Sequence, residues 1–216
     1  IIKPRPQAKR TVKMVFSSLM FLFRFMPIAF LLYYLVPKKF KNFTLLCLSM
    51  VFYAWGEVRY LPIMVFSILL DYIASGGIER NRDSRVKMRL FLALSMCGNL
   101  GMLLFFKYTD FFIANLNGIF GTAIPQLGLP LPLGISFYTF QTMSYTIDVY
   151  RGKVHAERNI IDFGAFVVLF PQLIAGPIVK YTDINRELKS RTIELPMIQD
   201  GIKLFIMGLG SKVLIA

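Results

Sequence analysis

Hydrophobic residues fall in long, nearly uncharged runs of about 13 to 18 residues, separated by short polar connectors. The first run, 19–36, stops at Pro37. At 1.5 Å per residue it spans roughly 27 Å, enough to cross a hydrocarbon core. The second, 43–55, carries Tyr53 and Trp55 where interfacial anchors belong. A third covers 60–74 and a fourth 90–106, ending at Lys107. Residues 108–120 mix clustered aromatics with Asp110, Asn115 and Asn117, a pattern that predicts a helix lying in the membrane interface. After a Pro/Gly-rich loop, 131–150 forms a fifth run and 161–175 a sixth, broken by Pro171, Gly176 and Pro177. A polar stretch to Asp200 leads into a last apolar run, 202–216. The expected fold is all-α: a polytopic transmembrane helix bundle with interfacial and broken helices, and incomplete, because the sequence stops at Ala216 inside an apolar run.

Composition agrees with the pattern. The chain is 56% hydrophobic and 17% charged, where soluble domains hold about 45–50% apolar and 25% charged residues. A soluble enzyme, a disordered tail and a disulfide-stapled secreted domain are excluded. The formal net charge of +13 does not point to nucleic acid. Lys and Arg crowd the connectors 38–42, 79–89 and 151–159 and are sparse in 56–59 and 107–130. That is the asymmetry of cytoplasmic connectors beside anionic lipid. The basic residues of 176–203 fit the same side if the broken sixth run does not cross. Residues 1–13 (IIKPRPQAKRTVK) form a basic leader distinct from the membrane part, 14–216, and Met14 opens the sequence MVFSS. Cys47 and Cys97 each sit inside an apolar run and read as small buried hydrophobes.

Candidate chemistry concentrates in two places. In LPLGISFYTFQTMSYTIDVYRG (131–152), Gly134, Tyr138, Gln141, Tyr145 and Asp148 recur at helical spacing and share one face, with Thr139, Thr142 and Thr146 on a neighbouring stripe. Such groups cannot face lipid. They line a polar passage, or they bond helix to helix. In FPQLIAGPIV (170–179), Pro171 and the Gly176-Pro177 pair interrupt the helix. Broken backbone at membrane depth lines a cavity or makes a kink, and Gln172 projects from it. Asp71 reads as a carboxylate near the end of its segment or paired to another helix, with a proton or substrate role as the alternative. Arg24 is placed to snorkel. The single histidine, His155, lies in the hydrophilic run RGKVHAER and reads as solvated. No P-loop, G-x-S-x-G or metal-ligand spacing occurs in the sequence.

MVFSS (14–18), the segment 131–152, AERNIIDFGAFVVLFPQLIAGPIVKY (156–181) and DGIKLFIMGLGSKVLIA (200–216) together resemble the membrane-bound O-acyltransferase family, in the branch that O-acetylates alginate and cell-wall polysaccharides. The resemblance covers 14–216 and implies the N-terminal part of that membrane domain. It implies a multi-pass protein of the bacterial inner membrane that moves an acetyl group to hydroxyls of an extracytoplasmic polysaccharide. The implied donor is acetyl-CoA or a similar co-substrate, with no bound cofactor and no metal. Implied partners are membrane lipid, the polysaccharide acceptor and periplasmic or membrane acetylation proteins, with no nucleic acid. The family's signature histidine has no counterpart here, so no catalytic residue is carried over and the 216 residues alone are expected to be inactive. Matched to the motifs, Ser136, Tyr138, Gln141, Tyr145, Asp148, Tyr150, Arg151, Pro171, Gln172, Gly176 and Pro177 are the candidate channel-lining residues. The alternative is a transporter or channel subunit whose striped fifth segment lines a solute path.

Overall fold

A computed structural model describes residues 19–175, 179–191 and 194–215. Among them every regular element is a helix. A single π-helical turn, Phe21–Phe25, feeds α1 (Met26–Leu35); α2 (Lys41–Glu57), α3 (Leu61–Arg80), α4 (Arg85–Phe120) and α5 (Ile135–Tyr150) follow. Then come α6 (Ile160–Val168), α7 (Phe170–Ala175), α8 (Tyr181–Lys189) and α9 (Leu195–Ile215). The run Lys38–Arg80 and the helix Arg85–Phe120 are long and apolar enough to cross a membrane. The first of these is two helices. Glu57 leaves helical geometry at φ −153° and ψ 74°, and the chain folds back there.

Contacts between connectors sort the two ends of the bundle. At one end, Asn42 Nδ2 donates to Asp162 Oδ1 at 2.7 Å and to the Leu188 carbonyl at 3.1 Å. Tyr72 Oη donates to the Arg158 carbonyl, and Arg82 reaches the Val149 carbonyl. The basic connectors 38–42, 79–89 and 151–159 therefore gather on one side, together with α8. At the opposite end the Leu133 N–H donates to Glu57 Oε2 at 2.9 Å.

Helix α5 is the central rod. It packs on α3 and α4 along one side and on α6 along the other, while α2 covers α6. Gly134, at φ 72°, takes the left-handed turn that lets the helix start directly after the loop. The α3–α4 contact is close because Gly77 has no side chain. A Cβ there would lie 2.6 Å from the Phe91 ring.

Four expectations are corrected. The interfacial helix expected at 108–120 is not separate: α4 runs unbroken through Lys107, about 54 Å in all, until Gly121 at φ 63° ends it. Its distal part leaves the bundle, where the Asp110 carboxylate accepts the Leu127 and Gly128 N–H groups at 2.8 and 3.0 Å. Tyr53 is not an interfacial anchor; it is 1% exposed in the core, while Trp55 faces outward. Cys47 and Cys97 are free but on the outer surface, on helix faces turned away from the bundle. Asp71 is not near the end of its helix: it lies midway along α3, and its pairing to other helices is as expected.

The sixth segment does not cross. Helices α6 and α7 rise from Asn159 by roughly 22 Å of helix. By Tyr181 the chain is back beside its starting level. The Tyr181 hydroxyl donates to Glu157 Oε2 at 2.5 Å, and its ring stands 4.8 Å from that of Tyr145. The segment is re-entrant, which puts the basic residues after it on the basic side.

Candidate functional site

The break in the re-entrant segment begins at Leu169, where ψ swings to 111°. Pro171 follows inside the first turn of α7, a position where its missing N–H costs little. A continuous helix would bond the Phe170 N–H to the Phe166 carbonyl. Here both groups go elsewhere. The Phe170 N–H donates to Ser49 Oγ of α2 at 3.2 Å, and the Phe166 carbonyl accepts Gln141 Nε2 of α5 at 3.0 Å. Broken backbone at membrane depth survives only with such partners. Replacing Gln141 with Leu keeps the bulk and orphans the carbonyl. The expected cost is about 1–3 kcal/mol, read as a lower unfolding midpoint in detergent. An unchanged midpoint would remove this brace from the account.

One turn along α2 from Ser49 lies Tyr53, and one turn before Gln141 on α5 lies Tyr138. Both side chains are fully buried, and neither hydroxyl finds a partner. Just past the break, Gln172 is 7% exposed, and its amide nitrogen and oxygen are both unpaired. Three elements thus bring unpartnered polar atoms to the level of the bundle where the helix is broken. Buried polar groups without partners are rare in proteins and mark water, ligand or strain.

Away from this level, α5 turns a second buried face to α3 and α4. Asp71 accepts hydrogen bonds from Ser95 Oγ, from Asn99 Nδ2 at 2.8 Å and from Thr146 Oγ1 at 3.2 Å. Ser67 Oγ donates to Asn99 Oδ1 at 2.9 Å. Among the described residues no cation pairs with this carboxylate. Of the threonine stripe of α5, Thr146 bonds helix to helix, the Thr142 hydroxyl donates to the Thr139 carbonyl within α5, and the buried Thr139 hydroxyl has no partner.

The residues expected to line a channel fall into several surroundings. Tyr138, Gln141 and Tyr145 share the buried face of α5 toward the re-entrant segment. Gln141 braces the broken backbone, and Tyr145 Oη accepts the Glu157 N–H at 2.7 Å. Gln172 stands on α7 just past the break, and Pro171 is half-buried in the same turn. Asp148 and Arg151 do not join them; they edge an open groove of about 560 Å³ on the outer side of α5. Ser136 and Tyr150 are half-buried. Gly176 and Pro177 lie outside the described residues.

Two important residues carry no clear sequence signal. Ser49 sits in an apolar run where a small residue is unremarked. Glu157 sits in a hydrophilic loop yet is 8% exposed. Its carboxylate accepts the Arg158 and Asn159 N–H groups at 2.9 and 3.2 Å, the Tyr181 hydroxyl, and Lys189 Nζ at 2.9 Å. Burial pushes its carboxyl up, but the bonds from Tyr181, Lys189 and Asn159 outweigh that and hold it below the ordinary glutamate value. His155, 92% exposed in its side chain, stands 2.9 Å from Glu79 Oε1 in the basic connectors. No group of acidic, histidine or cysteine residues that would hold a metal occurs among the described residues.

No family model matches the chain, and no solved structure matches it. Several curated proteins do. It is 40% identical over 212 residues to a probable alginate O-acetylase, AlgI, of Azotobacter vinelandii, covering 94% of this chain and 42% of that protein. It is 39% identical over 216 residues to the probable alginate O-acetylase of Pseudomonas aeruginosa, covering 94% and 40%. It is 34% identical over 239 residues to a peptidoglycan O-acetyltransferase of Helicobacter pylori, covering 96% and 45%. The chain spans about two fifths of the length of these relatives. They bear out the resemblance to membrane-bound O-acyltransferases read from the motifs.

Proposed function

We propose that this chain is part of a membrane O-acyltransferase that moves an acetyl group onto hydroxyls of a polysaccharide outside the cytoplasm, alginate or another cell-surface polymer. The observation that carries the reading is similarity along 94% of the chain to relatives named for acetylating alginate, together with similarity along 96% to one named for acetylating peptidoglycan. The two acceptors differ; the reaction is common.

In that reaction the acceptor oxygen attacks the acetyl carbonyl, a base takes the hydroxyl proton, and the donor's sulfur departs with the electron pair of the broken C–S bond. The transfer needs a base, donors for the oxyanion and shelter from water. In this reading the residues described here supply the shelter and some of the donors. The re-entrant break holds Tyr53, Tyr138 and Gln172 with free polar atoms in a setting closed to lipid, and these form part of the chamber wall. Gln141 and Ser49 keep the break open by satisfying its backbone. The base comes from the remaining length of such a protein, because His155 is solvent-facing on a loop. The donor is acetyl-CoA or a similar thioester, reached from the basic side. The setting is the bacterial inner membrane, alongside periplasmic or membrane acetylation proteins.

Membranes carrying the full-length protein, supplied with labelled acetyl-CoA and alginate or peptidoglycan, are expected to form labelled base-labile esters. Proteoliposomes that move a solute and form no ester would establish the transporter reading instead.

A further inference from the structure

We propose that the open groove on the outer side of α5 binds an anionic phospholipid. The site is separate from the broken-helix level and stands whether or not acetyl transfer does. Three features of the groove converge on that ligand.

The first is its charge. Arg151 and Lys153, just past the end of α5, and Lys180, at the start of α8, rim the groove. Among the described residues Lys153 is matched by Asp148, with Nζ 3.7 Å from Oδ1, while Arg151 and Lys180 carry no ion pair. Three cations against one carboxylate leave a surplus suited to a phosphodiester. They sit at the basic end of the bundle, where negatively charged headgroups are recognised by basic pockets between helices. The Ser144 hydroxyl lies in the same groove and adds a donor for phosphate oxygens, while the Thr182 hydroxyl donates to Asp183 Oδ1 at 3.0 Å.

The second is the wall. Phe140, Met143 and Ile147 continue the groove along α5 at helical spacing below Arg151. From Phe140 to Arg151 the helix advances about 17 Å. That is close to the roughly 15 Å half-thickness of a hydrocarbon core, so a headgroup at Arg151 lays its acyl chains along this wall.

The third is the opening. Phe140 is 44% exposed, and Phe137, one turn earlier on α5, is 43% exposed. The groove therefore opens sideways toward the bilayer. A water-soluble anion such as a nucleotide would present its polar body to hydrocarbon there, whereas a lipid would not.

The test uses the full chain purified in detergent and exchanged into nanodiscs of phosphatidylcholine, with or without phosphatidylglycerol, and native mass spectrometry of the lipids that stay bound. The wild type is expected to retain phosphatidylglycerol in preference to phosphatidylcholine. Arg151→Gln with Lys180→Gln is expected to cut that preference roughly tenfold or more, while Lys203→Gln on α9 leaves it unchanged. If the double variant fails to fold, Lys180→Glu, a charge reversal at an exposed position, is expected to shift the preference in the same direction. Equal retention by wild type and variants overturns the proposal. Displacement of the signal by inorganic phosphate alone reassigns the cations to a free anion and also overturns it. So does a cross-link from Ile147→Cys to another part of the chain in place of a photoreactive phosphatidylglycerol, because the groove is then covered by protein.

Discussion

Asp71→Ala is expected to cost about 2–4 kcal/mol and to leave little monodisperse protein after mild heating in detergent. The carboxylate is fully buried at the middle of α3, and it is the acceptor on which Ser95, Asn99 and Thr146 converge from α4 and α5. Removing it strands three donors at once, each costing about 1–3 kcal/mol when left without a partner, less what side-chain rotation recovers. Rotation recovers part of it. The Thr146 hydroxyl also has the Thr142 carbonyl at 3.1 Å, and Asn99 Nδ2 has the Ser95 carbonyl at 3.0 Å. Asp71→Asn should cost less, because one oxygen acceptor survives. It should still cost something, because its amide nitrogen then meets donors. Asn99 cannot simply flip to accept from it, since Asn99 Oδ1 is already engaged by Ser67. Asp71→Ala and Asn99→Ala together should fall short of the sum of the two single losses, as expected for members of one network. Additive losses, or an Asp71→Ala protein that melts with the wild type, would show that the three helices are held by apolar packing alone.

The same residue shows how far the sequence is legible without the fold. Asp71 in an apolar run and Thr139, Thr142 and Thr146 on one stripe are each visible in the sequence. The meeting of Asp71 with Thr146 is not, because it depends on which helix α5 packs against, and periodicity says only that a face is buried. Two polar stripes on one helix mean two buried neighbours. The spacing therefore marks α5 as central without naming α3 and α4 on one side and α6 on the other. Pro171 locates the break to within two residues, since it removes the donor that the Val167 carbonyl would use and is itself tolerated in the first turn of α7. Ser49, which completes that break, is illegible. A serine in an apolar helix costs so little that nothing marks it. The continuity of α4 escapes the pattern for a related reason: Lys107 and Asp110 are polar but not helix-breaking, and a helix can carry charge once it has left the bilayer.

Acidification is expected to loosen the basic end of the bundle through Glu157. Its folded-state carboxyl titrates below the ordinary glutamate value, so the unfolded chain binds the proton more readily. The stability it contributes is complete above the unfolded value, about 4.3, and is lost as pH falls through the lower folded value. Once protonated, the carboxyl gives up its attraction for Lys189 and competes with the Tyr181 hydroxyl as a donor. α8 then loses both of its side-chain ties to the loop that precedes α6. Glu157→Gln mimics that state at neutral pH. It should cost about 2 kcal/mol, mostly from donors left without a charged acceptor; the Lys189 contribution is small because that side chain is 54% exposed. The variant should also flatten the acid limb of the stability profile, with the wild type and Glu157→Gln converging as pH falls. Lys189→Met separates the two contributions: it should leave most of the stability in place, because Tyr181 and the Arg158 and Asn159 N–H groups still hold the carboxylate. Parallel acid limbs for wild type and Glu157→Gln would mean that other carboxylates govern acid sensitivity and that the re-entrant segment is anchored elsewhere.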